Sequence, residues 1–296
     1  MSDPLFIHLV YNNRYGIISA MKGFMLLLLL FLDCPFAVIA QKDLEKLVDT
    51  EHAFAEAAAA NGTRAAFLEF MADDAVIFNP DITKAKPFWT ARAGSPSLLS
   101  WAPNYADISS NGVLGYTTGN WEYRAKGKDD APGAFGEFIT LWIKQPDGTY
   151  KWTVDIGVSH DKPEKYSTDW KTPPVNTKAG KVPPGELATD FYQMAIARGL
   201  AKTYKAFAAD EIRSYREGKA PFLGKRAVLG LLGDEKSEVT FAKRSSTFTA
   251  GDLSYNLNTY TRTDAGKVTE KGNFLQLWKF IDGKWQIVLD IFKPVQ

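Results

Sequence analysis

Two aspartates in matching sequence contexts are the residues best suited to chemistry. Asp155 follows Lys151-Trp-Thr-Val and Asp290 follows Gln286-Ile-Val-Leu, and an isoleucine comes next in both cases. A carboxylate held away from water has a raised pKa, so it can take up a proton or orient a ligand near neutral pH. The alternative is a structural hydrogen bond or a place in an interface, which the presence of the aspartate in both segments slightly favours.

The two segments close two copies of one unit. Residues 52–80 align without a gap to residues 189–217, with seven of 29 positions identical. The turn Asp147-Gly148 before Asp155 also parallels Asp282-Gly283 before Asp290. We therefore predict two domains, residues 41–161 and 186–296. Between them, residues 162–185 hold clustered prolines, which favour an extended linker.

Each copy opens with helical periodicity and continues with strands. Asn61-Gly62 is predicted to end the first helix and Thr63 to cap a short second one. The proline-containing stretch after residue 79 is predicted to be irregular, and period-2 alternation puts Asp155 on the face opposite Trp152. Helices before an antiparallel sheet indicate an α+β fold. The predicted strands are 116–124, 135–144 and 150–158, then 238–249, 253–263, 270–281 and 284–293.

The first forty residues resemble a targeting segment. Met21-Lys22 precedes an apolar run from Phe24 to Leu32, and Val38-Ile-Ala40 supplies small residues for cleavage. This order is typical of a secretory signal, so we expect a start at Met21, an upstream extension over residues 1–20 and cleavage after Ala40. The mature protein would then be secreted or periplasmic and free of the membrane. The alternative, an uncleaved anchor, needs roughly 20 apolar residues.

Several classes of function are excluded by composition. The only cysteine, Cys34, lies in the predicted leader, so disulfides and thiolate metal sites are not expected in the mature chain. A net charge of +1 without a basic run argues against nucleic-acid binding. His52 and His160 form no ligand pair, and Asp73-Asp74 is expected to face solvent. We find no cofactor motif and expect neither a metal nor a cofactor.

Particular motifs carry a resemblance to a known superfamily. They include Phe70-Met-Ala-Asp-Asp-Ala-Val-Ile-Phe78, Trp101-Ala-Pro103 and the glycine-flanked segment from Gly112 to Gly119. With these motifs the chain resembles the nuclear-transport-factor-2-like superfamily, which includes ketosteroid isomerases, and within it the SnoaL-like, calcium/calmodulin-kinase-association-like branch. The resemblance implies two tandem cone-shaped domains, each with N-terminal helices packed on a curved antiparallel sheet, in a cystatin-like or SnoaL-like roll. The second copy departs from the pattern, because Asn258 replaces Gly119 and nothing repeats Trp101-Ala-Pro103.

A cone of this kind implies an apolar cavity with a few polar groups, and enzymes of the superfamily move a proton there. Asp155 is the candidate catalytic carboxylate, and Asp290 is its counterpart as a ligand-orienting group. Ordinary sheet packing is the alternative for the aromatic candidates. The predicted ligand-binding aromatic residues are Trp121, Tyr123, Trp142, Tyr255, Tyr260 and Trp278.

Three functions compete at this point. The first is an exported protein that binds a small, largely apolar molecule in one or both cones. The second is a proton-transfer enzyme of the isomerase, dehydratase or hydrolase type, with Asp155 as general base and Tyr123 or Trp142 orienting the substrate. The third is a non-catalytic interaction scaffold.

The penultimate strand of the first copy predicts an internal pairing of the two domains. Phe138 and Trp142 lie on one face, while Ile139, Leu141 and Ile143 make the other face equally apolar. A single cone buries only one face of its sheet. We therefore expect the two domains to pack sheet to sheet as a pseudo-dimer within one chain.

Overall fold

The computed structural model describes residues 35–166, 170–174, 184–233, 235, 237–243 and 246–295. They form two similar α+β units in tandem, which confirms the predicted fold class. The predicted leader lies outside the described residues, apart from residues 35–40 at the start of the first helix. None of the described helices is both long and apolar enough to cross a membrane.

The units repeat one order of elements: two helices, a strand, a short strand with a helix, and then long strands. The first unit contains helices α1 (Pro35–Asn61), α2 (Thr63–Phe70) and α3 (Ala85–Ala91), and strands β1 (Met71–Phe78), β2 (Ile82–Lys84), β3 (Leu98–Ile108), β4 (Leu114–Arg124), β5 (Ala134–Lys144) and β6 (Tyr150–His160). The second unit contains helices α4 (Pro184–Arg198), α5 (Leu200–Phe207) and α6 (Lys225–Gly233), and strands β7 (Ala208–Arg216), β8 (Phe222–Leu223), β9 (Glu238–Phe241), β10 (Ser246–Ala250), β11 (Leu253–Asp264), β12 (Lys267–Ile281) and β13 (Lys284–Pro294).

The junction of α1 and α2 follows the sequence signals except at the cap. Gly62 takes a φ of 87°, a left-handed conformation that glycine adopts without steric cost. Gly62 is also the N-cap of α2, and Thr63 is already helical, so the prediction that Thr63 caps this helix is wrong. No side-chain cap hydrogen bond forms there.

Each sheet is mixed, whereas the sequence predicted only antiparallel pairing. The first sheet has the order β2-β1-β6-β5-β4-β3 and the second includes β10-β11-β12-β13-β7-β8. β1 pairs in parallel with β6, and β7 pairs in parallel with β13. These two strands follow helices, so no hairpin fixes their direction, and the long connection to the last strand permits parallel pairing.

The stretch predicted to be irregular contains α3 and β3. Proline normally interrupts a sheet because it cannot donate a ladder hydrogen bond. Here β3 is an edge strand, and its register shifts between Pro103 and Tyr105. The bulge accommodates the proline, and the strand continues to Ile108.

A bulge in the last strand of each unit decides which way the aspartate faces. Trp142 pairs with Trp152 and Leu141 with Val154, so Thr153 is an extra residue. Trp152 therefore packs toward the helices and Val154 toward the opposite face, in two different clusters of buried residues. Asp155 lies on the same side as Trp152, and the prediction of opposite faces is wrong because strict alternation ignores the bulge.

The outer faces of the two sheets contribute to one buried apolar cluster. Ile139, Leu141 and Ile156 of the first unit lie in this cluster together with Leu275 and Leu277 of the second. The buried ammonium of Lys279 also joins the units, since it donates to Asp107 Oδ1 at 2.9 Å and to the Ile108 carbonyl at 2.6 Å.

Candidate functional site

The first unit encloses a cavity of about 380 Å³ between its helices and the inner face of its sheet. The walls are mainly aromatic, and the polar groups are few. One lining residue, Lys293, comes from the second unit. The cavity is lined by Phe54, Phe67, Leu99, Trp101, Trp121, Tyr123, Ala134, Phe138, Thr140, Asp155, Ile156, Gly157, Ser159 and Lys293.

Asp155 is the carboxylate of this cavity. The bulge at Thr153 turns the side chain inward, and the Thr140 hydroxyl donates to Asp155 Oδ2 at 2.8 Å. Burial raises the pKa of Asp155 to about 6, and the Thr140 hydrogen bond opposes that shift. No described residue donates a hydrogen bond to Oδ1, so this oxygen is available to a ligand in the cavity.

Glu51, in the middle of α1, supplies a second carboxyl group behind the aromatic wall. It is fully buried and accepts hydrogen bonds from Trp101 Nε1 at 2.6 Å, Thr117 Oγ1 at 2.5 Å and Trp142 Nε1 at 3.2 Å. Burial raises its pKa to about 7, and the negative charge of Asp155 adds to the rise. Two acidic groups with pKa values near neutrality thus lie close enough to affect each other.

The matching aspartate of the second unit is tied into the core. Asp290 is fully buried and accepts hydrogen bonds from the Tyr204 hydroxyl, from Ser214 Oγ at 2.5 Å and from Arg216 Nη1 at 2.9 Å. With these donors in place, Asp290 is a structural ion-pair partner, and it does not line the cavity that contains Asp155.

The repeat itself explains this difference. Tyr204, Ser214 and Arg216 occupy the positions of Phe67, Ile77 and Asn79 in the first unit, so the polar partners of Asp290 have no counterparts around Asp155.

A further residue difference between the two units fills the cone of the second unit. Phe138 pairs with Gly157, whereas the matching Phe274 pairs with Phe292, so a phenyl ring takes the place of a glycine. Phe292 is buried beneath the Arg216 guanidinium, at 4.3 Å from the ring centre. The first cone is therefore open, and the corresponding space in the second is occupied by Phe292 and Arg216.

The structure brings only some of the predicted aromatic residues to the cavity. Trp121 and Tyr123 line it, beside Asp155. Trp142 is fully buried in the core, where its indole bonds Glu51. Tyr255 lines a separate cleft between the units. Tyr260 and Trp278 are packed in the second core.

Sequence reasoning missed Glu51, although the signal was present. Leu44, Leu47, Val48 and Phe54 mark the buried stripe of α1, and Glu51 lies on that stripe at i+3 from Val48. A charged residue on an apolar stripe needs buried partners. The second unit has the buried Ala188 at this position, which shows that the fold itself does not require a carboxyl group here.

The histidines and acidic pairs form no metal centre in the part of the chain that the structure describes. His52 is exposed on α1, and Asp73 and Asp74 are exposed on β1. No group of three or more potential ligand side chains is found among these residues.

No protein-family model matches the chain, and no curated protein matches it in sequence. The solved structures that resemble it include an NTF2-like protein of unknown function from Pseudomonas putida KT2440, with 19% identity over 37% of this chain and 82% of that one and a TM-score of 0.32. An NTF2-like protein with a cystatin-like fold from Novosphingobium aromaticivorans has 13% identity over 38% and 79%, with a TM-score of 0.33. A putative calcium/calmodulin-dependent protein kinase type II association domain from Thiobacillus denitrificans has 19% identity over 40% and 98%, with a TM-score of 0.33.

These matches each cover little more than a third of the chain and concern its fold alone. The structure itself shows an α+β architecture that occurs in two tandem units.

Proposed function

We propose that the first unit binds a small, largely apolar molecule in its cavity and that Asp155 accepts a hydrogen bond from the one polar group of that molecule. The observation that carries the proposal is the contrast between the two aspartates. Asp155 has one protein donor and an open cavity in front of it, whereas Asp290 has three donors and no space. Apolar walls with a few convergent polar groups are typical of small-molecule sites.

The aromatic walls and the carboxylate define the kind of ligand. Phe54 and Phe67 line the cavity on the helix side, and Trp101 of β3 and Trp121 of β4 line it on the sheet side. Above pH 6 the Asp155 carboxylate is an acceptor only, so it favours a hydroxyl or amine donor. A flat, mostly hydrocarbon molecule with one such donor fits this combination.

A matched pair of probes tests the proposal. We expect 2-naphthol to quench the tryptophan fluorescence saturably and to bind more tightly than 2-methoxynaphthalene, which lacks the donor. In Asp155→Asn the preference for 2-naphthol should fall about tenfold, because a hydrogen bond to a charged group contributes about 1.5–3 kcal/mol. Asp129→Asn removes an exposed carboxylate elsewhere and should change nothing. Equal binding of both probes to the native protein would contradict the assignment of Asp155.

A second function, proton abstraction next to a carbonyl group, is favoured by one observation. Asp155 has a pKa of about 6 and is coupled to Glu51 with a pKa of about 7, a range suited to a general base. The test is exchange of the α-protons of 2-tetralone in D₂O, followed by proton NMR. If Asp155 is a catalytic base, exchange should be faster with the native protein than with Asp155→Asn. Equal exchange rates would contradict catalysis and support only the binding function.

A further inference from the structure

A second cavity, of about 490 Å³, lies between the units and is separate from the first. The first unit contributes Asn104, Asn120, Glu137 and His160 to its walls, and the loop after β6 adds residues 161–165. The second unit contributes Arg213 from β7 and the segment that leads to β8. This cavity depends on the tandem arrangement, because residues of both units line it.

Arg213 is an unusual residue for its position. The matching residue of the first unit is Val76, which packs against the apolar cluster between the sheets. The Arg213 guanidinium lies 3.9 Å above the ring centre of Tyr105 and beside the Tyr215 hydroxyl, and none of the ion pairs found among the described residues involves Arg213. An arginine stacked in this way keeps its planar fork of N–H donors oriented, ready for a bidentate acceptor.

His160 adds a second nitrogen donor to the same cavity, its Nε2 atom. Only 5% of its side chain is exposed. Nδ1 lies 2.6 Å from the Asp161 carbonyl and must therefore donate to it, while Nε2 is buried without a hydrogen bond. Glu137 Oε1 is 3.7 Å from Nε2, too far for a hydrogen bond but close enough to stabilise the imidazolium, and Glu137 raises the pKa of His160.

The remaining charges around the cavity compensate one another. Glu137 faces His160 and also accepts a hydrogen bond from the Asn120 amide. In the loop, Lys162 and Lys165 alternate with Asp161 and Glu164. Among the charged residues that line this cavity, Arg213 is therefore the one without an oppositely charged partner. Its apolar lining is provided by Pro163, Pro221 and Leu223.

We propose that this inter-unit cavity binds a small monocarboxylate with a short apolar body, its carboxylate held by the Arg213 guanidinium and by His160 Nε2–H. The guanidinium supplies two parallel donors, and the protonated imidazole supplies a third. The proline and leucine side chains face the hydrocarbon part. This site is independent of the function proposed for the first cavity, since none of these residues lines that cavity.

Benzoate and its uncharged analogue benzamide test the proposal by titration calorimetry on the full chain. We expect benzoate to bind saturably and at least tenfold more tightly than benzamide. Arg213→Gln should weaken benzoate binding about tenfold. Arg213→Lys keeps the positive charge but loses the two parallel N–H donors, so its affinity for benzoate should lie between those of the native protein and Arg213→Gln. Arg226→Gln, an exposed arginine outside the cavity, is the matched control. An excess of 2-naphthol should not compete with benzoate, which separates this site from the first cavity.

The pH dependence of benzoate binding tests the role of His160, because an arginine with only a structural role would not produce it. The pKa of His160 is raised above 6.5, so lowering the pH from 9 to 6.5 charges this residue, which faces Glu137, Asp161, Lys162 and Arg213, and benzoate should then bind several-fold more tightly. His160→Asn should remove this pH dependence. No saturable binding of benzoate, unchanged affinity in Arg213→Gln, or equal affinity for benzamide would each overturn the proposal.

Discussion

At the scale of single residues, the two aspartates show how neighbours decide what a carboxylate does. Asp155 and Asp290 occupy the same place after the same bulge in matching strands. The donors around them differ, and so does the space in front of them. Their roles therefore diverge although both strands carry the same bulge, and a repeat in the sequence does not imply a repeat in chemistry.

Glu51 should make the stability of the protein depend on pH. Burial raises its pKa from 4.5 to about 7, so the folded state keeps a proton that the unfolded state releases between these values. The free energy of unfolding should then fall as the pH rises from 4.5 to 7, by roughly 3 kcal/mol for this group alone, at about 1.4 kcal/mol per pKa unit. Urea denaturation of Glu51→Gln at pH 4.5 and 7.5 should show this part of the decline removed.

The exposed Glu56 on the same helix provides the control. Glu56→Gln should retain the full decline of the native protein. Asp252 also has a raised pKa, and its contribution is common to all three proteins. An equal slope in native protein and Glu51→Gln would show that Glu51 does not hold its proton in the folded state.

At the scale of elements, the sequence predicted most of the regular strands well and their irregularities poorly. The prediction of one strand over 238–249 is wrong, because β9 and β10 are two strands that pair with different parts of β11. The hairpin from Asp147-Gly148 and the strands around it lie where aromatic and β-branched residues indicate. The bulges at Thr153 and Val288 escaped prediction because a period-2 pattern carries no mark for one extra residue. They are decisive for the site, since each turns an aspartate toward the helices.

The last strand also explains why only one cone is open, and this leads to a prediction about Phe292. Phe292→Ala should lower the free energy of unfolding by about 3–5 kcal/mol, because the ring is fully buried and its removal leaves a cavity. The new space should not bind 2-naphthol, because Arg216, Tyr204 and Ser214 still donate hydrogen bonds to the Asp290 carboxylate. Urea denaturation and the fluorescence titration measure the two effects, and tight 2-naphthol binding by this variant in a second site would contradict the role given to these donors.

At the scale of the whole molecule, we propose that the two units pair through the outer faces of their sheets. The apolar cluster that contains residues of both units supports this pairing. So does a buried charged group: Lys279 of the second unit bonds Asp107 of the first at 2.9 Å and lies 3.5 Å from Asp252 Oδ2. Only 4% of the lysine side chain is exposed, so its charge depends on these partners.

Lys279→Met tests this contact directly, because methionine replaces the lysine stem without the ammonium. The change leaves Asp107 and Asp252 buried without their cation, and removing one partner of a buried ion pair costs about 3–5 kcal/mol. Urea denaturation should show a loss of this size, whereas Lys271→Met, at an exposed position on the same strand, should stay within about 0.5 kcal/mol of the native value. Adding Asp107→Asn and Asp252→Asn to Lys279→Met should recover part of the loss, since the uncompensated charges are then gone. A Lys279→Met protein as stable as the native chain would mean that the lysine is hydrated in solution and that this contact between the units does not form.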